Sequence, residues 1–138
     1  MISTVEKVLF LKSVDLFSQI SGEDLAQIAL ITSEESRESG EDLVVEGAAG
    51  DALYVILEGR VRVHRGNKPI AELGPRECFG EMALLDAEPR SATVTALTDV
   101  ALLKISREGF QEIMAEQRAI SLGVIHVLVR RLRDSIGR

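Results

Sequence analysis

The chain has 138 residues, 46% of them hydrophobic, and a formal net charge of −6 at neutral pH. That length suits one domain with a buried core; no apolar run nears the roughly 20 residues that cross a bilayer, which argues against membrane insertion. The single cysteine, Cys78, excludes an internal disulfide framework and makes a reducing cytoplasm, or the cytoplasmic face of a membrane protein, the default compartment.

The charge is unevenly placed. Residues 118–138 hold five arginines against one aspartate, so the body of the chain is strongly acidic. Neutralising a nucleic-acid backbone needs a broad basic face, and this body offers none. The opening stretch MISTVEKVLFLKSVDLF scatters Glu6, Lys7, Lys12 and Asp15 among apolar residues, unlike a secretory leader.

The first 33 residues read as helix. Val5, Val8, Leu9 and Lys12 follow helical spacing, and Ser21-Gly-Glu-Asp24 offers a cap, of capping-box pattern, ahead of Leu25, Ile28, Ala29 and Leu30. Residues 34–105 read as strands. Leu53-Tyr-Val-Ile-Leu57 is a short buried run, Arg60-Val-Arg-Val-His64 alternates with period two, and Ala92, Val94 and Ala96 alternate with threonines. Turn residues recur at Gly47, Gly50-Asp51, Gly59, Gly66-Asn67 and Gly74-Pro75, a punctuation that predicts a sandwich, jelly roll or small barrel. Residues 106–138 return to helix. Phe110, Ile113 and Met114 share a face, and Ile125, Leu128, Val129, Leu132 and Ile136 form a longer stripe whose simplest reading is core packing. Cys78 reads as a small buried hydrophobe, and His64 and His126 as a strand-face and a helix histidine with no metal between them.

One stretch, FGEMALLDAEPRSATV from Phe79 to Val94, carries chemistry. Gly80 lets the backbone approach a ligand. Glu81-Met-Ala-Leu-Leu85 is long enough for one or two helical turns, whose first N–H groups attract an anion. Pro89 blocks continuation and leaves Arg90 on a loop folding back, where its planar fork and the Ser91 hydroxyl suit phosphate oxygens. Glu81 repels polyphosphates but accepts well from a sugar hydroxyl. A singly charged phosphate fused to a ribose satisfies both groups, which points to a 3′,5′-cyclic nucleotide. A nucleoside triphosphate would want a GxxxxGK[ST] loop, absent here.

The same run resembles the phosphate-binding cassette of the cyclic nucleotide-binding domain family, and LYVILEGRVRV resembles that family's central hairpin. The resemblance spans nearly the whole chain and implies a mainly β fold: a double-stranded β-helix, or jelly-roll-like sandwich, between N-terminal and C-terminal helices. It implies one domain over 1–138, helical over about 1–33, a β-roll over 34–105 with its cassette at 79–92, and C-terminal helices over 106–138. Glu81 becomes the ribose 2′-OH acceptor beside the Gly80 backbone. Arg90 becomes the partner of the cyclic phosphate, with Ser91, Ala92 and the Met82 and Ala83 amides completing its shell. Val63 and Ile70 would line the wall around the base, and a gapless count carries Arg131 and Ser135 toward it, although a solvated helix face is the simpler reading of those two. Serine after Arg90 resembles the bacterial activators, which favours cyclic AMP over cyclic GMP. The resemblance further implies a sensor without catalysis or metal. Its last helix, from about Gln117 to Ile136, would act as lid or lever, and its partner would be an effector domain in a longer chain or a second copy bound through that helix.

Rival classes fare worse. A cupin enzyme needs clustered histidine and glutamate ligands, an iron–sulfur sensor several cysteines, and a haem sensor a supported axial ligand. The serious alternative is the same fold without its ligand, serving as an interaction or dimerisation module.

Overall fold

The structure, a computed structural model, describes residues 2–137; Arg138 of the basic tail lies outside them. Each helix begins on a serine that satisfies an otherwise orphan amide, save the last. Ser3 and Glu6 form a reciprocal capping box at α1 (Thr4–Leu11). Ser21 accepts from the Asp24 amide at 3.1 Å at the start of α2 (Gly22–Leu30). Between them a 3-10 turn, Asp15–Phe17, buries Leu16 and Phe17. The apolar residues of α1 divide: Leu11 is buried whereas Val5 and Leu9 are exposed, and Leu30 at the end of α2 is exposed as well.

Eight strands follow: β1 (Ser33–Arg37), β2 (Asp42–Val44), β3 (Ala52–Glu58), β4 (Val61–Arg65), β5 (Lys68–Leu73), β6 (Cys78–Phe79), β7 (Thr93–Ala96) and β8 (Val100–Ser106). They form two antiparallel four-stranded sheets, ordered β1-β8-β3-β6 and β2-β7-β4-β5. The period-two rule explains why β3 reads as a continuous apolar run: both of its faces are covered. Leu53, Val55 and Leu57 join a core shared with the helices, while Ala52, Tyr54 and Ile56 join a second core between the sheets. Strand β8 divides in the same way, Leu103 and Ile105 toward the helices and Leu102 toward the opposite sheet. The layers are therefore helices, sheet, sheet. Gly59 turns the chain from β3 to β4 at φ 91°, and a Cβ there would collide with the Asp99 carbonyl.

After β8, Ser106 caps α3 (Arg107–Glu116) by accepting from the Gly109 amide at 3.1 Å. Gln117, with φ −118° and ψ 94°, breaks the helix before α4 (Arg118–Ser135). The core-packing reading of the α4 stripe holds for Leu128, which packs partly buried against the core, and is corrected for its other four residues. Ile120, Gly123, Val124 and Val127 pack inward; Ile125, Val129, Leu132 and Ile136 are exposed, as is Leu122. Helix α4 is apolar on two faces, and its early turns meet the core through the one that Gly123 opens, where a Cβ would lie 3.0 Å from Ile20.

Candidate ligand site

The site sits where β6 leaves the first sheet. Gly80 adopts the left-handed conformation, φ 80° and ψ 19°, and a 3-10 turn, Glu81–Leu84, follows it. A Cβ at Gly80 would lie 2.6 Å from the Ala52 carbonyl oxygen and against the Arg90 guanidinium, so residue 80 is a glycine for space as well as for φ. The turn is tighter than an α-helix: the Ala83 amide donates back to the Gly80 carbonyl at 3.0 Å and is spent inside the turn. Ala83 and Leu84 bury, anchoring the turn, while Met82 stays half-exposed.

Backbone pairing fixes Arg90. Its amide donates to the Ala48 carbonyl and its carbonyl accepts from the Gly47 amide, both at 2.8 Å, with Ala49 and Pro89 bridged between. The guanidinium then lies beneath Gly80. Nη2 donates to the Ala52 carbonyl at 2.8 Å, and Nε is buried without a hydrogen-bond partner. Burial pulls the Arg90 pKa down, against the stabilising influence of Tyr54 and Asp51. A desolvated cation with an unmatched N–H is a group awaiting an anion.

Glu81 faces the same space. Arg90 and Glu81 line one cavity of about 480 Å³, together with Gly80, Met82, Ala83, Ser91, Ala92 and Val63. Val44, Cys78, Phe79 and Val94 supply further wall, and Asp86 and Glu88 an acidic rim. The volume falls within the range of small-molecule sites. Ile70, on the outer strand β5, is 46% exposed and lies outside the lining. So does Ser135, whose hydroxyl donates to the Leu132 carbonyl at 2.8 Å.

Arg131 reaches the rim through Glu81. Its Nη2 is ion-paired with Glu81 Oε1, its Nε and Nη2 donate to Asp15 Oδ2 at 3.1 and 2.7 Å, and its Nη1 points at Met82 Sδ, 3.7 Å away. The solvated-face reading of Arg131 therefore gives way to a bridge between α4, the N-terminal turn and the cassette. The remaining Glu81 oxygen accepts from the Leu16 amide at 3.3 Å. A carboxylate has about four acceptor positions, so these two contacts leave room for a hydroxyl.

Three contacts lay outside the sequence reading. Asp15 also accepts from Arg130 Nη2 at 2.7 Å, Arg65 Nε donates to the Ser91 carbonyl at 2.8 Å, and Tyr54 stacks on Phe79 at 5.2 Å. Only a fold brings such distant positions together. Cys78 is half-buried in the cavity wall; burial first, and the Glu81 charge second, push its thiol up to about 12. His64 spends both ring nitrogens, on the Gly66 carbonyl at 2.7 Å and Thr95 Oγ1 at 2.8 Å. Among the described residues no group of three candidate metal ligands occurs, and no helix is long and apolar enough to cross a membrane.

A jelly-roll sandwich whose cassette places an arginine with one unpartnered N–H and a carboxylate in one cavity defines a class: small-anion-binding β-roll domains flanked by helices. The profile of the cyclic nucleotide-binding domain family matches residues 34–117. The chain belongs to that family, which is regulatory rather than catalytic. It is similar to a cyclic AMP receptor protein of Thermus thermophilus, 36% identical over 101 residues, covering 70% of this chain and 47% of that protein. It is also similar to a cAMP-dependent protein kinase regulatory subunit of Aspergillus fumigatus, 34% identical over 128 residues, covering 91% of this chain and 29% of that protein. Among solved structures, the N-terminal domain of a transcriptional regulator from Streptomyces coelicolor A3(2) superposes with a TM-score of 0.86 at 34% identity, covering 91% of this chain and 94% of that one. The chain thus spans about half, or less, of the curated relatives it matches.

Proposed function

We propose that residues 1–138 act as one regulatory domain that binds a 3′,5′-cyclic nucleotide, cyclic AMP in preference to cyclic GMP, and signals through α4. The observation that carries this reading is the buried, unpartnered Nε of Arg90 in a cavity that Glu81 shares. A cyclic phosphodiester brings one negative charge to Arg90, and a ribose hydroxyl can add a donor to Glu81. Phosphate donors at Ser91 and Ala92 and an apolar wall at Val63 fit the same ligand. The relatives add support, since two carry cyclic AMP in their names.

Helix α4 can report occupancy because Arg131 already touches Glu81. Its exposed stripe fits a second copy of the chain, and an effector domain in a longer chain is the other natural recipient of the signal. The reading leaves no role for direct nucleic-acid binding by this domain.

Calorimetric titration with cyclic AMP, cyclic GMP and 5′-AMP tests the proposal. Cyclic AMP should bind most tightly and 5′-AMP, a dianion, hardly at all, while hydrogen exchange across α4 changes with ligand. Silence toward every cyclic nucleotide at high micromolar concentration would favour a dimerisation module that has lost its ligand.

A further inference from the structure

Glu81 is held from two directions by a single short segment. The Leu16 amide supports one carboxylate oxygen directly. Asp15, the neighbouring residue, supports the other at one remove, by gripping the Nε and Nη2 of Arg131 while Nη2 also pairs with Glu81 Oε1. The segment itself is anchored in the core. Val14 and Leu16 are fully buried on either side of Asp15, and the Phe17 ring packs at a tilt against Phe110, 5.4 Å between centroids. The Asp15 carboxylate, by contrast, is half-exposed and, among the described residues, is ion-paired with the two α4 arginines, so it is not spent on holding the core.

We propose that Asp15 is a positioning residue for the ligand site: by fixing the Arg131 guanidinium it fixes the Glu81 carboxylate in the orientation that accepts a ribose hydroxyl. This rests on the cyclic nucleotide reading above and adds to it a residue far from the cassette in sequence. The chain of action is Asp15 to Arg131 to Glu81 to the 2′-hydroxyl, so only ligands with that hydroxyl feel it. A residue that merely supported the fold would affect all ligands alike.

The test compares the full chain with its Asp15→Asn variant, which keeps side-chain size and removes the charge. Each is titrated with cyclic AMP and with 2′-deoxy cyclic AMP. Asp15→Asn should weaken cyclic AMP about three- to fivefold, the scale of a half-exposed ion pair, and leave the deoxy analogue within about twofold. Equal weakening of both nucleotides, or of neither, overturns the positioning role. If the wild-type chain binds neither nucleotide, the functional reading fails first, and water exchange of the Arg131 Nε–H, read by NMR, then decides the positioning role. Faster exchange in Asp15→Asn than in wild type supports the grip of Asp15 on Arg131, and equal exchange overturns it.

Discussion

At the scale of single residues, Arg90 has the largest consequence. Its charge is half-buried, its Nε has no partner, and its Nη2 donates to the Ala52 carbonyl oxygen of its own chain. An anion arriving there pairs with a cation already stripped of much of its water. Breaking a buried charge pair by removing one partner costs about 3–5 kcal/mol. On the usual scale of about 1.4 kcal/mol per tenfold, Arg90→Ala should therefore weaken cyclic AMP by about two to three decades. A titration showing less than about fivefold loss would remove Arg90 as the phosphate anchor. This residue was legible in sequence because its motif is local, with Gly80, the turn after it and Pro89 within ten residues, although the Gly47, Ala48 and Ala52 backbone that holds it is distant in the chain. Asp15 was illegible for the opposite reason. It lies 116 residues from Arg131 in the chain, and no spacing rule connects them. Arg65, 26 residues from Ser91, was hidden in the same way.

At the scale of elements, periodicity tells which residues share a face but not what that face meets. For strands the two questions nearly coincide, since a sheet in a sandwich has few surfaces to choose from. The alternation of β4 and the unbroken run of β3 accordingly translate into layers without error. Helix α4 carries two apolar faces, and the stripe read as core lies, Leu128 apart, on the outer one. Leu122, Ile125, Val129, Leu132 and Ile136 recur at alternating intervals of three and four, the spacing of a coiled-coil seam. They are the exposed face, with Leu132 63% accessible, whereas Val127 on the other face is fully buried. Two substitutions separate the roles. Leu132→Lys should change unfolding free energy by no more than about 0.5 kcal/mol and, if the seam pairs two copies, shift sedimentation toward monomer. Val127→Asp places a charge in the core and should cost several kcal/mol, enough to unfold much of the protein in mild urea. Equal destabilisation by both would mean that the stripe packs inward after all.

At the scale of the whole molecule, the ion pairs around Asp15 tie together three parts that the strands alone do not join. The N-terminal turn, the cassette and the last helix meet at Arg131, which is bonded to Asp15, Glu81 and the Met82 sulfur. A ligand that alters Glu81 therefore acts on the same guanidinium that seats α4. The tie is electrostatic, so it has a pH signature. The hydrogen bond from Arg131, with the nearby Arg130 charge, outweighs desolvation and holds the Asp15 carboxyl below its ordinary 3.8. A carboxylate whose pKa is lower in the folded than in the unfolded chain adds stability above its unfolded value and loses it as pH falls through the folded one. Urea unfolding of wild type and Asp15→Asn should therefore differ most near neutrality. That gap should persist down to about pH 4 and close as the pH falls further, because protonated aspartic acid and asparagine are then equally uncharged. Every other carboxylate is common to both proteins, so the difference isolates the Asp15 charge. A gap that stays constant down to about pH 2 would mean that Asp15 contributes through shape rather than charge, and the link from turn to helix to cassette would lose its electrostatic basis.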